Sequence, residues 1–505
     1  MAQPTVSGGN VLTALDEQHP TTLYWQLTLL ASLGGFLFGY DTSNIGAALN
    51  FVPYGLHGLA LGYLVSGASL GAAAGAILGG PAADRFGRKA LLITDAAIYA
   101  VGAILSAVTP DAAVLLVART LIGVAIGADS AIATAYVAEY APKNRRGSLA
   151  LLQQWMITVG ILISYIVALI IFSAFPGSAG SVGWRLVLGL GAVPALIGLA
   201  LRTQMPESPR WLLRRGRYED VRKAVSALGA ADVTIEDIRR GAAVLATTEA
   251  PGRKRFQGWT PAAWRALAVV CVFFILQQIT GINVPLYYGP HLLGPIFAGP
   301  HSSLVATTVA GVEITSIMTA VNVASTYLGF RWIDKFGRRK LAIGGYAGMT
   351  IFALVAALGL ALLSGTPRLV VIMIGLDFFI ASFAVGVGGT GWTLQGEVFP
   401  TAVRGQAAAI AATVDWLANF VLIEVFPVWQ NAISLGGVMV CFAALCVAAI
   451  AFVYWFLPET RGLPVEEIVT LFEKPARNLS KKPSAAIPVS SDDLAKPAAR
   501  HTRHD

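Results

Sequence analysis

The sequence predicts an all-α polytopic membrane protein with twelve transmembrane helices arranged in two six-helix halves. Three observations support this fold class. Of the 505 residues, 55% are hydrophobic and 13% are charged, compared with roughly 25% charged residues in an average soluble domain. Apolar stretches long enough to cross a hydrocarbon core of roughly 30 Å recur along the whole chain. Short charged motifs of the first half return in the second half, and the composition excludes a soluble enzyme.

Twelve candidate spans are bounded by proline, glycine or charged residues. They begin near residues 23, 56, 90, 112, 148, 184, 264, 303, 341, 369, 405 and 434. The predicted units are an N-terminal segment 1–22, a six-helix bundle 23–203, a linker 204–262 with short helices, a second bundle 263–457 and a C-terminal segment 458–505. The polar, proline-rich composition after about residue 475 predicts disorder there.

Basic residues are distributed unequally between the loops. Thirteen Lys or Arg residues lie between Arg202 and Arg265, whereas the loops around 50–55, 174–183, 289–302 and 431–434 carry none. By the positive-inside rule, both termini and the linker are cytoplasmic. We therefore expect a multi-pass protein of the plasma or inner cell membrane, embedded in the lipid bilayer. Because the net charge of +8 arises from these span-end residues, no nucleic-acid partner is expected.

Three charged motifs occur twice at a nearly constant offset. The motif at 84–89 returns 250 residues later, the Glu-x6-Arg pair beginning at Glu139 returns 258 residues later, and the motif at 206–210 returns 252 residues later. The constant offset indicates duplication of a six-span unit. Parallel repeats of this kind hold a substrate between the two halves near the middle of the membrane.

The repeated motifs lie where spans meet the cytoplasm, and each motif combines an acid with arginines. A single exposed ion pair contributes only about 0–1 kcal/mol, but a network that forms in one conformation alone shifts a two-state equilibrium. We expect a gating network, with loop orientation alone as the alternative. Its expected members are Asp84, Arg85, Arg88, Glu139, Arg146, Glu207 and Arg210 in the first half, and Asp334, Arg338, Glu397, Arg404, Glu459 and Arg461 in the second.

Few ionisable residues lie within the spans, where they are costly and usually functional. Asp41 lies about 18 residues into the first span, and Arg119 lies about 8 residues into the fourth span, which runs in the opposite direction. Both therefore fall in the outer half of the membrane at similar depth. We expect a proton-sensitive Asp41–Arg119 pair, with two unrelated cavity-lining charges as the alternative. Asp41 is the only intramembrane acid expected to share its depth with an arginine of its own half.

Amide side chains near the middle of the membrane form a second unusual group. Gln277, Gln278 and Asn283 begin about 13 residues into the seventh span, and two tyrosines follow them. Amides offer paired donors and acceptors that match the neighbouring hydroxyls of a sugar. Hydrogen bonding between helices is the alternative for any single amide. Further candidates are Gln153, Gln154, Trp392, Trp416 and Asn419.

Glycine patterns predict packing rather than nucleotide chemistry. Gly67, Gly71, Gly75 and Gly79 recur at four-residue steps, which indicates close approach of another helix. The stretch 386–391 matches a dinucleotide fingerprint, but it lies within a span without a βαβ unit and predicts a broken helix lining the cavity. The sequence contains no ATPase-type phosphate loop and no metal-ligand spacing, so no cofactor and no metal are expected, and active transport would depend on an ion gradient.

Together these motifs resemble the sugar porter family of the major facilitator superfamily. The likeness covers about residues 22–472 and depends on the stretches 35–42, 277–288, 206–211 and 458–462 and on the Glu-x6-Arg pair of each half. The resemblance implies the major facilitator fold and a transporter rather than an enzyme. It implies Asp41 as proton acceptor and Arg119 as its partner. It also implies sugar binding by Gln154, Gln277, Gln278, Asn283 and Trp392, with Phe38 and Tyr287 closing over the sugar.

Asp415 departs from the family pattern, which usually has glutamine or asparagine at this position. An ionised carboxylate accepts hydrogen bonds but cannot donate them. The hydroxyl pattern recognised here would then differ, the substrate would be a polyol or carry a positive charge, or Asp415 would be protonated. The predicted substrate site also includes Asp415 and Asn419.

The sequence thus predicts a secondary active transporter that imports a monosaccharide together with a proton by alternating access and functions as a monomer. An uncoupled facilitator for a sugar or polyol is the nearest alternative. A non-transporting sugar sensor is less favoured because only about 30 residues follow Glu473. An exporter of drugs or organic anions would share the gating motifs but not the amide cluster. Which sugar or polyol is carried stays open at this point.

Overall fold

The computed structural model describes residues 11, 22–140, 146–227, 233–248, 259–299, 301–400, 403–463 and 465–473. These residues form helices joined by short turns, without a strand among them. The predicted N-terminal segment up to residue 21, apart from Val11, and the predicted disordered tail lie outside the described residues. The side chain of Arg146 also lies outside the described part of the chain.

The described helices form twelve spans. In the first half these are Thr22–Ala31 with Leu33–Ala48, Leu59–Phe86, Arg88–Val108, Ala112–Tyr140, Arg146–Ala174, and Trp184–Gly189 with Ala192–Arg202. In the second half they are Pro261–Ile279 with Asn283–Phe297, Leu304–Phe336, Arg338–Leu362, Gly365–Phe383 with Gly389–Glu397, and two spans within Arg404–Phe456. Ser434 (φ 65°, ψ 163°) separates those last two spans.

Ten helical stretches of the described chain are long and apolar enough to cross a membrane. The longest stretch counts as two spans because it is divided at Ser434. The first span is counted in addition, because its two helices are shorter than the ten stretches. The total is the twelve predicted spans. The residue at which each span begins agrees with the sequence prediction to within a few residues, except that the sixth span is preceded by short helical turns at Pro176–Ser178 and Ala179–Gly183.

The seventh and tenth spans are broken near their centres. Gly281, with φ 91°, separates the two helices of the seventh span, and the ring of Phe442 occupies the space where a side chain would be. In the tenth span a π-helical turn, Ala384–Gly388, precedes the helix Gly389–Glu397. Backbone irregularity at membrane depth is tolerated where protein or a cavity surrounds it. The π-helical turn overlaps the predicted break at 386–391 and interrupts the regular α-helix there without ending it.

The glycine stripe of the second span packs against the fourth span. A side chain on Gly71 would lie 2.1 Å from the carbonyl oxygen of Thr120, and one on Gly75 would lie 2.2 Å from that of Val124. Gly123 and Gly127 of the fourth span approach the second span in the same way. The absence of side chains thus allows direct backbone contact.

The linker forms three helices, Pro209–Arg214, Tyr218–Ala227 and Ile235–Thr248. Trp211, Leu212 and Val221 are buried in a cluster that includes Ile132 of the fourth span, so the linker packs on the first half. Hydrogen bonds from Thr234 to the carboxylate of Asp237 lower the pKa of this acid. The side of the molecule where this linker lies is called the linker side below.

The two halves contact each other on the side away from the linker. Asn50 Nδ2 donates to Thr308 Oγ1 at 3.0 Å, and Tyr165 Oη donates to the Leu286 carbonyl at 2.7 Å. Ser66 Oγ donates to Glu424 Oε2 at 2.7 Å. At the linker-side ends of the spans, by contrast, each ion pair between described side chains joins residues of the same half.

Candidate functional site

A chain of polar side chains connects the seventh span to the eleventh near their centres. Gln278 Nε2 donates to Asp415 Oδ1 at 2.7 Å. Asn283 Nδ2 donates to Gln278 Oε1 at 2.8 Å and to Asn419 Oδ1 at 3.2 Å. Asn419 Nδ2 then donates to Ser69 Oγ at 3.1 Å. The chain therefore begins in the second half and ends on the second span of the first half.

The break at Gly281 explains why these residues meet. Gln278 lies just before the break and Asn283 just after it, so their amides become neighbours although the helix is interrupted. Tyr287 follows Asn283 by one helical turn, and its hydroxyl lies 3.4 Å from Asn419 Nδ2. The structure thus brings together five residues of the predicted substrate site: Gln278, Asn283, Tyr287, Asp415 and Asn419.

Two buried polar atoms beside this chain have no hydrogen-bond partner in the described structure, namely Gln277 Oε1 and Trp416 Nε1. Gln277 Nε2 makes a long hydrogen bond of 3.5 Å to the Gly388 carbonyl in the broken tenth span. Buried polar atoms are satisfied in the great majority of cases. One unsatisfied acceptor and one unsatisfied donor therefore indicate a place where another polar molecule can bind.

Aromatic rings lie beside the same region. The rings of Phe38 and Trp416 meet edge to face with centroids 4.8 Å apart, across the two halves. Trp392 packs against Phe274 with a centroid distance of 5.4 Å. Phe38 and Trp392 are half-buried, as is Gln154 on the fifth span. Within the described chain, Gln154 forms no hydrogen bond with the polar residues of the seventh and eleventh spans.

Asp41 and Arg119 form a buried ion pair between the first and fourth spans, as the sequence predicts. Arg119 Nη1 donates to Asp41 Oδ1. Arg119 Nε donates to the Leu64 carbonyl of the second span at 3.3 Å. Arg119 Nη2 is buried and has no partner in the described structure. The two predicted residues therefore lie at the same depth and in direct contact.

A second buried ion cluster is absent from the sequence prediction. Arg202 Nη1 contacts Asp95 Oδ1 at 2.7 Å, and Nη2 contacts Asp129 Oδ1 at 2.7 Å. These three residues are called the buried triad below. The expectation that Asp41 alone shares its depth with an arginine is therefore wrong. Arg202 occupies the last turn of the sixth span, where a basic residue normally reaches the membrane surface, but here it turns inward to the two acids.

The linker-side ends of the third and ninth spans carry two clusters of the same construction. Arg88 Nη2 contacts Asp84 at 2.9 Å and Glu139 at 3.0 Å. In the second half, Arg338 Nη2 contacts Asp334 at 3.0 Å and Glu397 at 2.7 Å. Glu139 also accepts from Ser208 Oγ, and Glu397 accepts from Thr460 Oγ1 at 2.8 Å.

Glu207 and Glu459 occupy matching positions at the N-termini of these two helices. Glu207 accepts from the backbone N–H groups of Arg88 and Lys89 at 3.0 and 3.2 Å. Glu459 accepts from those of Arg338 and Arg339 at 3.0 and 3.2 Å. A carboxylate at a helix N-terminus satisfies free N–H groups and the helix dipole.

The glycines that precede the two helices permit this approach. Gly87 has φ 102° and Gly337 has φ 92°, and a side chain on either would collide with the glutamate carboxylate. The remaining predicted gating residues are placed differently. Arg85 lies over the ring of Phe86, Arg404 Nε donates to the Phe399 carbonyl at 3.2 Å, Arg210 is half-buried, and Arg461 is exposed.

The duplicated halves, the broken spans and the polar cluster between the halves define a membrane transport protein. Residues 27–472 match the family described as "Sugar (and other) transporter", and the chain belongs to this family. The predicted family and fold are thereby confirmed.

Individual relatives agree with this assignment. The chain is 34% identical over 447 residues to the glucose transporter of Staphylococcus epidermidis, which covers 87% of this chain and 95% of that protein. It is 32% identical over 499 residues to the D-xylose-proton symporter of Escherichia coli K12, covering 91% and 98%. A solved structure of the E. coli xylose transporter, partially occluded and inward-open, aligns with a TM-score of 0.75 and 29% identity over 88% of this chain and 99% of that chain.

Proposed function

We propose that this protein imports a monosaccharide together with a proton by alternating access. The observation that carries the proposal is the hydrogen-bonded amide chain between the halves, with Gln277 Oε1 and Trp416 Nε1 left unsatisfied beside it. A sugar hydroxyl both donates and accepts, so it can satisfy the two atoms. Relatives named as a glucose transporter and a D-xylose-proton symporter support the same substrate class.

Asp415 sets the direction of the hydrogen bonds in this site. Because an ionised carboxylate only accepts, Gln278 turns its NH₂ group towards Asp415. Gln278 Oε1 then faces Asn283. The amides that a sugar meets are therefore oriented by one acid. A neutral sugar or a polyol fits the resulting pattern, and a substrate with a positive charge would in addition pair with the carboxylate.

The Asp41–Arg119 pair is the proposed coupling site. When Asp41 is ionised, the pair connects the first span to the fourth and, through the Leu64 carbonyl, to the second. Protonation of Asp41 removes the charge and weakens the connection. The first span also carries Phe38, one turn away from Asp41 and in contact with Trp416. A change at Asp41 can therefore reach the sugar site along one helix.

The helix-end clusters are the proposed cytoplasmic gate. The basic residues of the linker support a cytoplasmic position for the linker side. The halves are then joined on the extracellular side, and the described conformation faces inward. Within each half, Arg88 or Arg338 contacts one acid from each of two other spans. Closure of the cytoplasmic side would bring these two charged surfaces together.

The proposed function is tested with purified protein in proteoliposomes. Uptake of a panel of labelled monosaccharides and polyols is measured with and without an inward proton gradient. We expect one or a few monosaccharides to accumulate only when the gradient is present. Uptake that equilibrates without accumulation under every gradient would indicate the uncoupled facilitator. Absence of uptake, with sugar binding retained, would indicate the sensor.

A further inference from the structure

The buried triad lies in the first half, nearer the linker side than Asp41. Asp95 belongs to the third span, Asp129 to the fourth and Arg202 to the sixth. Their exposed fractions are 4%, 3% and 1%. The proposed substrate site and the Asp41–Arg119 pair do not involve any of the three. A cluster of three ionisable groups this deeply buried is costly unless each group is compensated.

All three guanidinium nitrogens of Arg202 have acceptors. Nη1 donates to Asp95 Oδ1 and to the Leu92 carbonyl, both at 2.7 Å. Nη2 donates to Asp129 Oδ1 at 2.7 Å, and Nε donates to the Leu30 carbonyl at 3.3 Å. Each aspartate nevertheless retains one buried oxygen, Oδ2, without a donor in the described structure. Two acids thus share one arginine, and each is only half satisfied.

Among the described residues, the arginines nearest the triad already have acid partners. The first span has no charged residue between residue 22 and Asp41, which itself pairs with Arg119. On the third span, Arg88 contacts Asp84 and Glu139, two turns from Asp95. These pairs already occupy the nearby cations, so one negative charge of the triad lacks a counterion among the described residues.

The nearby tyrosines donate elsewhere. Tyr99, one turn beyond Asp95, donates its hydroxyl to the Leu37 carbonyl at 3.0 Å. Tyr136, two turns beyond Asp129 on the fourth span, donates to the Pro206 carbonyl at 2.8 Å. Tyr40, also on the first span, carries no charge. None of these groups therefore supplies a donor to the two free oxygens.

Asp129 packs closely against the first span. A side chain atom on Gly34 of the first span would lie 1.4 Å from Asp129 Oδ2, so the carboxylate presses on the glycine backbone. No group of three His, Cys, Asp or Glu residues in the described chain is arranged to hold a metal ion. Asp95 and Asp129 each contact the same guanidinium at 2.7 Å, and a direct hydrogen bond between two carboxyl groups requires that one of them carry a proton.

We propose that Asp95 and Asp129 bind one proton between them, and that the buried triad is a second proton site of this protein. With one proton, the two carboxyl groups and Arg202 are electrically balanced, and the proton supplies a donor for an oxygen that otherwise lacks one. Loss of the proton leaves two like charges on one guanidinium, and like charges at one site disfavour joint ionisation.

The position of this site connects it to the first span. Gly34 contacts Asp129, and Asp41 lies seven residues further along the same helix, a distance of about 10 Å. The fourth span likewise carries both Arg119 and Asp129. Ionisation of the triad would push the Asp129 carboxylate against Gly34 and move the first span. This role in coupling rests on the proposed function, whereas proton binding by the triad does not.

Infrared spectroscopy of the purified protein tests the proposal, because a protonated carboxyl group has its own carbonyl band. The variants are Asp95→Asn and Asp129→Asn, each made in an Asp41→Asn background that removes the signal of the other proposed proton site. At neutral pH we expect each variant to lose band intensity equal to one protonated carboxyl group, since the remaining acid pairs with Arg202. Unchanged band intensity in both variants would overturn the proposal.

A second measurement avoids substitution altogether. The parent protein labelled with ¹³C at aspartate carboxyl carbons should show protonated aspartate at neutral pH, and its complete absence would also overturn the proposal. The outcomes separate the two hypotheses. If both variants lose the band but the parent protein does not accumulate sugar in response to a proton gradient, only the proposed function is contradicted. If the parent protein accumulates sugar but neither variant loses the band, only the proton site at the triad is contradicted.

Discussion

Single hydrogen bonds at the centre of the molecule decide what the proposed sugar site can hold. Gln277 presents an acceptor without a partner, while its neighbour Gln278 is already bonded to Asp415 and Asn283. We therefore expect different roles for the two adjacent glutamines. Gln277 would bind a ligand through Oε1, and Gln278 would organise the polar chain.

Gln277→Ala should weaken sugar binding several-fold without loss of expression. One neutral hydrogen bond contributes about 0.5–1.5 kcal/mol, and removal of the amide leaves a buried sugar hydroxyl unpaired. Isothermal titration or ligand quenching of the purified variant measures the effect. Val272→Ala, on an exposed position of the same helix, is the matched control and should bind like the parent. Equal affinity in both variants would contradict a role for Gln277 in binding.

Asp41→Asn should abolish accumulation of sugar against a gradient. Asparagine keeps the shape of the protonated acid but cannot ionise, so the pair with Arg119 no longer depends on protons. Sugar exchange across the membrane should persist, and this provides the internal control for folding. Proton-driven uptake at the parental rate in this variant would eliminate Asp41 as the coupling acid and favour the uncoupled facilitator.

At the scale of elements, close contact between helices depends on missing side chains. The second and fourth spans approach through Gly71 and Gly75, with backbone atoms where a side chain would begin. Gly87 and Gly337 precede the third and ninth spans, and the absence of a side chain on each leaves space for a glutamate carboxylate at the helix N-terminus. Small residues here determine which elements can touch.

Gly71→Val should destabilise the protein by about 1–3 kcal/mol, the usual cost of overpacking a close-packed interior. The first side-chain atom would lie 2.1 Å from the Thr120 carbonyl, so the second and fourth spans must separate. Thermal unfolding in detergent measures the change. Gly80→Val, on the same helix with open space around it, is the control and should unfold near the parental temperature. Similar unfolding of both variants would show that this contact is unimportant.

At the scale of the whole molecule, the arrangement of contacts supports a rocking movement of two halves. The contacts between halves include the hydrogen bonds Asn50–Thr308 and Ser66–Glu424, on the side away from the linker. The ion clusters on the linker side remain within each half. One side can therefore open as the other closes without disruption of either bundle.

A short bifunctional thiol reagent should arrest transport in the double variant Asn50→Cys, Thr308→Cys. The two wild-type side-chain atoms lie 3.0 Å apart, so the linked residues would hold this side shut. Each variant with only one of the two substitutions, treated identically, should continue to transport. Full transport after verified cross-linking would contradict alternating access through separation at this interface.

Glu397→Gln should shift the resting population further towards the conformation that is open on the linker side. The substitution removes the charge that pairs with Arg338 and weakens the proposed gate. Labelling of introduced cysteines from the cytoplasmic face reports the population. Equal labelling of the variant and the parent would favour the alternative in which the charged motifs only orient the loops.

The sequence alone determined the properties that depend on distance along the chain. Span positions follow from composition and length, the duplicated halves follow from the constant offset of the charged motifs, and the depth of Asp41 and Arg119 follows from the rise per residue. The packing role of the glycine stripe was likewise predictable, because glycine spacing acts locally, whereas the predicted break at 386–391 proved to be a π-helical turn at Ala384–Gly388 within a helix that continues.

Only the tertiary structure decided which faces of the helices meet. Depth along a helix axis does not specify the rotation of that helix or the identity of its neighbours, since both depend on how all the spans pack together. For this reason Arg202, counted by sequence as the first of the basic residues beside the linker, proved to be the shared partner of Asp95 and Asp129. The contact of Asp415 with Gln278, and the separate role of Gln277, likewise depend on packing of the eleventh span against the broken seventh span.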